Sequence, residues 1–101
     1  MSDENQSDSI VQDRILVKRP SKYKVLIHND DYTTMEFVIY VLESIFGKST
    51  AEAQKIMLKV HKEGHGVCGV YTFEIAEAKQ CQVVEAASSE GHPLRCSIEV
   101  E

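Results

Sequence analysis

Four histidines, three cysteines and a single Asn-Asp-Asp cluster are the groups in this 101-residue chain with the most chemistry to offer. A nucleophilic hydrolase would pair Cys68, Cys81 or Cys96 with His28, His61, His65 or His92 as base. No motif surrounds any such pair, and cysteines set in strand or helix patterns usually serve as small core residues. An odd number of cysteines without a Cys-x-x-Cys pair reads as buried free thiols in a reducing compartment. His61 and His65 are four apart, but Gly64 lies between them and no His-Glu-x-x-His pattern accompanies them. No glycine-rich loop precedes a helix to cradle a phosphate. Catalysis, metal and cofactor are therefore not expected, and a binding site remains.

The stretch Asn29-Asp30-Asp31 is where the chain changes character. Before it, Tyr23-Lys24-Val25-Leu26-Ile27 has strand chemistry, rich in aromatic and β-branched residues. After it, Val38, Val41, Leu42 and Ile45 form an apolar stripe at helical spacing. Asn and Asp suit a strand-to-helix loop because their short side chains bond the local backbone. Thr33 with Glu36 has capping-box spacing, which predicts a helix from Thr34 to Phe46, stopped by Gly47. A second box, Ser49 with Glu52, opens another helix whose apolar stripe is Ala53, Ile56, Met57 and Val60, and Gly64 ends it.

Gly66 to Tyr71 predicts a short strand, its two glycines marking a close backbone approach or a bulge. Thr72 caps a third helix to about Ser88, with Ile75, Ala76, Val83, Ala86 and Ala87 on its buried face. After Gly91-His92-Pro93, Leu94, Cys96, Ile98 and Val100 alternate with polar residues, as in a strand with one wet face. The order predicts an α+β fold: a small β-α-α-β-α-β layer domain, with a three-stranded antiparallel sheet and three helices on one face. Residues 1–21 read as a disordered N-terminal extension and 22–101 as the domain, because the polar, acidic start cannot bury enough apolar surface to offset its ordering entropy.

If the Asn29–Asp31 loop lies near the end of the second helix, His61 and Val60 face it. Asn29 offers a carbonyl acceptor, Asp30 a carboxylate and neutral His61 a lone pair. Such a set suits an ammonium group, and protonating the histidine would weaken the binding. Met35, Val38, Met57 and Val60 could line an apolar hole beside it. A polypeptide N-terminus bearing a large hydrophobic side chain fits both halves, although Met35 and Met57 would serve equally as ordinary core.

Composition narrows the partners. A net charge of −5 argues against nucleic acid and anionic membranes, both of which call for clustered positive charge. No apolar run approaches the roughly 18 residues of a membrane span, and no secretory signal follows the acidic start. A cytoplasmic monomer is expected.

The run from Tyr23-Lys24-Val25 through Asn29-Asp30-Asp31-Tyr32-Thr33 to Met35-Glu36-Phe37-Val38 resembles the ClpS family, adaptors of the AAA+ proteases ClpAP and ClpCP. Val60-His61, Cys68-Gly69-Val70, Tyr71-Thr72, Glu77-x-Lys79 and His92-Pro93-Leu94 extend the likeness over residues 22 to 101. The resemblance implies the same fold and a non-enzymatic adaptor that binds N-degrons and delivers these protein substrates to a Clp unfoldase. It implies that Asn29, Asp30 and His61 hold the degron's α-amino group and that Thr33 holds its first main-chain groups. Ile27, Met35, Val38, Met57, Val60 and Leu94 would line the pocket for Leu, Phe, Tyr or Trp, with Met35 as a gate against β-branched side chains. Asp31 would shape the loop. Glu74, Glu77 and Lys79 would dock on the N-terminal domain of a ClpA- or ClpC-type unfoldase. His28 departs from an aliphatic position near the pocket, and Thr34 from a proline in the first helical turn. The alternative is an interaction module without an N-degron pocket.

Overall fold

A computed structural model describes residues 21–101; the expected N-terminal extension lies outside the described residues, apart from Ser21. The elements run β1 (Tyr23–His28), α1 (Met35–Ser44), α2 (Thr50–Glu63), β2 (His65–Tyr71), α3 (Phe73–Ser89) and β3 (Arg95–Val100). β1 is the central strand of a sheet ordered β2-β1-β3, antiparallel to both neighbours. The fold class and element order are those predicted. The Lys22 carbonyl accepts the Glu101 N–H at 2.8 Å, tying the two ends of the described chain together.

Alternation along β1 sends Val25 and Ile27 inward, where they are fully buried. They meet Val41 and Leu42 of α1, Ala53, Met57 and Val60 of α2, and Ala76, Val83 and Ala87 of α3 in one core. His28 points to the other face of the sheet. Its Nε2 shares a 2.6 Å hydrogen bond with Ser97, and its ring lies 6.3 Å from that of His65. Burial, then Arg95 and His65, hold His28 below the ordinary histidine range. The departure at His28 therefore leaves the helix-covered side untouched.

Local signals mostly locate the helix ends. Ser49 and Glu52 form the expected capping box. Gly64 ends α2 in the left-handed region at φ +93°, its N–H bonded to Val60 O. At the end of α1, Gly47 turns the chain at φ +65° and the Lys48 N–H bonds the Leu42 carbonyl. The start of α1 differs from expectation. Thr34, not Thr33, accepts from the Phe37 N–H at 3.1 Å, while the Thr33 hydroxyl donates to Asp30. Thr72 caps α3 by position, with no side-chain hydrogen bond.

Ile75 is 49% exposed rather than inward. The inward positions of α3 are Ala76, Val83 and Ala87, small side chains that let the helix lie close on the sheet. Val100 is also exposed, while Cys96 and Ile98 pack against the core. Not all the thiols are buried. Cys68 is buried, Cys96 half-buried and Cys81 exposed. Burial foremost, with Cys96 nearby, pushes Cys68 up to about 12, and burial pushes Cys96 to about 11. Burial thus disfavours the thiolate at both positions.

The glycines of β2 act as the sequence suggests. The register slips between Val25 (opposite Gly69) and Leu26 (opposite Val67), which leaves Cys68 as the extra residue of a bulge. A side chain at Gly69 would run into the Tyr71 ring. At Gly66 a Cβ would lie 2.8 Å from Val60 Cγ2, so α2 rests directly on this backbone. Gly66→Ala should push α2 outward and destabilise the protein by about 1–3 kcal/mol, as overpacking does. Urea unfolding monitored by circular dichroism would measure it; an unchanged midpoint would mean that the helix yields freely.

Candidate functional site

The β1–β2 pairing, which ends with His28 opposite His65, and one further hydrogen bond assemble the site. The Asn29 N–H, just past the end of β1, donates to Gly64 O at 2.8 Å, just past the end of α2. The Asn-Asp-Asp loop is thereby drawn alongside the last turn of α2, which carries Val60 and His61. A cavity of about 270 Å³ opens at this junction, lined by Asn29, Asp30, Asp31, Thr33, Met35, Val38, Met57, Val60 and His61. For scale, a cavity of roughly 150 Å³ holds a benzene ring.

The lining divides by chemistry. Asn29, Asp30, Asp31, Thr33 and His61 form the polar side, and Met35, Val38, Met57 and Val60 the apolar side. Met57 belongs to the core as well as to the cavity wall. Met35 is 50% exposed and so is not core. Ile27 and Leu94, also expected in the pocket, are buried in the core without forming part of this lining.

The two aspartates differ. Asp30 Oδ1 accepts the N–H groups of Tyr32 (2.8 Å) and Thr33 (2.7 Å), and Oδ2 accepts the Thr33 hydroxyl (2.7 Å). The loop-shaping role expected of Asp31 thus falls to Asp30, while Asp31 is an exposed part of the cavity rim. A carboxylate offers about four acceptor sites, so Asp30 keeps capacity toward the cavity. Burial pushes its pKa upward, but the Thr33 amide and hydroxyl, the Tyr32 amide and nearby His92 outweigh that and hold it below the ordinary carboxylate range. Asp30 therefore stays ionised across the neutral range. Two carboxyl side chains and the negative end of the α2 dipole converge on one cavity, a field that favours a cation.

The α3 residues expected to act together are separated. Glu74 and Glu77 border an open cleft with Ala78, Gln80, Cys81 and Val84. Lys79 turns away, its Nζ donating to Ile45 O at 2.7 Å and lying 5.9 Å from the Tyr71 ring centroid. It fastens α3 to the end of α1. Among the described residues, no three His, Cys, Asp or Glu side chains form a metal-binding group, and no helix is long and apolar enough to cross a membrane.

Residues 18–97 match the family model for the ATP-dependent Clp protease adaptor protein ClpS. The chain belongs to the ClpS family. Its ClpS relatives include a Clp protease adapter from Phenylobacterium zucineum, 50% identical over 98% of each chain. Another, from Caulobacter vibrioides strain NA1000, is 58% identical over 81% of this chain and 75% of that one. Among solved structures, Agrobacterium tumefaciens ClpS2 bound to L-phenylalaninamide matches with a TM-score of 0.79 and 37% identity, covering 82% of this chain and all of that one. ClpS proteins are adaptors of the Clp protease, not catalysts.

Proposed function

We propose that this ClpS protein captures substrates by a free N-terminal Leu, Phe, Tyr or Trp and delivers them to the N-terminal domain of a ClpA- or ClpC-type unfoldase. The supporting observation is the junction of acceptors and apolar wall in one cavity. Asn29, Asp30 and His61 receive the ammonium group, with Asp31 adding negative charge at the rim. Met35, Val38, Met57 and Val60 surround the first side chain. The ligand of the Agrobacterium protein, a phenylalanine amide, carries the same two features: an amino group and a large apolar side chain. A docking module without a pocket would have no use for acceptors gathered beside an apolar hole.

Magnitudes fit a carrier that must release its cargo. Burying a Leu or Phe side chain contributes about 1.5–3 kcal/mol, and each hydrogen bond to a charged group about 1.5–3 kcal/mol. Lost translational and rotational freedom removes several kcal/mol or more. What remains is a small part of the gross attraction, so the ligand is held reversibly. Titration with short peptides that differ only in the first residue tests the reading: Leu and Phe should bind, Ser and Asp should not. Equal binding of all four would overturn it.

Met35 guards the mouth from its half-exposed position. Met35→Ala should remove the clash that excludes branching at Cβ and admit peptides beginning with Ile or Val. The Leu-to-Ile affinity ratio should fall severalfold in the same titration. An unchanged ratio would place the gate elsewhere.

A further inference from the structure

Two histidines that take no part in the ligand cavity face each other across the sheet. His28 ends β1 and His65 opens β2, directly opposite in the register. The next bond along the ladder, from the Asn29 N–H to Gly64 O, makes residues 29 and 64 the hydrogen-bonded pair. His28 and His65 are then a non-hydrogen-bonded pair, in which Cα atoms stand only about 4.5 Å apart and side chains run close together. Both rings lie on the face of the sheet away from the helices, His65 exposed and His28 half-buried. Their centroids are 6.3 Å apart, with the ring planes at 53°.

That spacing suits two imidazoles on one metal ion. With Zn–N bonds of about 2.0–2.1 Å, the ring centres of two histidines on one zinc ion stand roughly 5–6.5 Å apart, according to the N–Zn–N angle. Ser97 supplies orientation. In the tautomer whose Nε2–H donates to Ser97 Oγ, at 2.6 Å, the His28 lone pair is on Nδ1, and ligating histidines usually have their other N–H engaged in this way. Burial and its charged neighbours hold His28 below the ordinary histidine range, which keeps a lone pair available at neutral pH. Arg95, opposite His28 on β3, opposes any cation here, and Glu99 acts against it. Two protein ligands fall short of a closed structural site, so water completes the coordination and the affinity is modest.

We infer that His28 and His65 form a two-histidine site for a divalent transition-metal cation of the zinc, nickel or copper type. These ions take imidazole nitrogen, whereas magnesium and calcium take oxygen. His28 adjoins Asn29, and His65 adjoins Gly64, whose carbonyl holds the Asn29 N–H. The ion therefore braces the junction of β1 and β2 from the face opposite the ligand cavity, and it leaves Asn29, Asp30 and His61 free.

Zinc titration of the full chain, followed in proton–nitrogen spectra of the imidazole rings, tests the site. The His28 and His65 ring signals should shift together and saturate, while those of His61 and His92 stay in place. Magnesium at the same concentrations should move none of them. His28→Leu and His65→Asn should each weaken zinc binding about tenfold or more, as when a two-point attachment becomes a single one. Zinc at about ten times its dissociation constant should raise the wild-type folding equilibrium constant about tenfold, and both variants should lose that gain. Zinc that binds either variant as tightly as wild type, or that moves His61 or His92 first, overturns the inference. So do His28 and His65 signals that titrate separately or not at all, a wild-type result that does not depend on whether the variants fold.

Discussion

A peptide that begins with a free leucine should bind about a hundredfold or more tightly than the same peptide acetylated at its N-terminus. Acetylation removes the positive charge and two of the three N–H donors, and it places a carbonyl oxygen where the ammonium group belongs. That oxygen would face Asp30, Asp31 and His61, so acceptors would oppose acceptors. Two lost hydrogen bonds to charged groups amount to about 3–6 kcal/mol, a factor of roughly 10² to 10⁴ in affinity. A peptide with a free N-terminal glycine separates the two halves of the site. It keeps the ammonium contacts and should lose only the side-chain burial, about 1.5–3 kcal/mol. Fluorescence anisotropy with a label at the peptide's far end would read all three. Acetylated and free peptides within threefold of each other would remove the acceptor cluster from the binding site.

The elements of this fold are legible where a local interaction decides them. Ser49 and Glu52 stand three apart, and each satisfies the other's backbone at the start of α2. Gly64 can enter the left-handed region that ends that helix. The start of α1 shows the limit of such reading. Thr33 and Thr34 are equally good caps by type; in the fold Thr34 accepts the Phe37 N–H and Thr33 instead donates to Asp30. The buried face of α3 is weakly legible for a different reason. It is built from Ala76, Val83 and Ala87, whose small side chains suit close approach to the sheet but give little periodic signal, while larger Ile75 stays outside.

The site itself is split across the chain, and that split is why residue types alone left alternatives open. Asn29 and His61 line one cavity because β1 pairs with β2 as far as His28 opposite His65 and the Asn29 N–H then bonds Gly64 O, and no side-chain pattern encodes that pairing. Likeness to a family supplied the residue set and an expected division of labour within it, part of which the hydrogen bonds redistribute. The exchange of the loop-shaping role from Asp31 to Asp30 needed the hydrogen bonds themselves. The same holds for Lys79, which lies near Glu74 and Glu77 in sequence and turns to the opposite side of α3 in space.

That separation yields the second large effect: Glu74→Lys with Glu77→Lys should leave N-terminal leucine binding within about twofold of wild type while delivery falls to background. No α3 residue lines the ligand cavity, so the reversal leaves the binding chemistry intact. The two glutamates border the open cleft, and replacing them with lysines repels whatever basic surface they meet. Glu74 lies in the first turn of α3, where a positive charge opposes the helix dipole and costs about 0.3–1 kcal/mol. Glu74→Gln with Glu77→Gln avoids most of that cost and should give an intermediate defect, which separates lost docking from lost stability. Lys79→Ala should behave differently. It removes one hydrogen bond to the Ile45 carbonyl, lowering stability by about 0.5–1.5 kcal/mol, and leaves delivery intact once the protein is folded. The measurement is degradation of a substrate with an N-terminal leucine by reconstituted Clp protease, beside a binding titration of each variant. Undiminished degradation by the double lysine variant would place docking away from this cleft. Abolished degradation by Lys79→Ala alone would return Lys79 to the docking surface and break its assignment as a tether between α3 and α1.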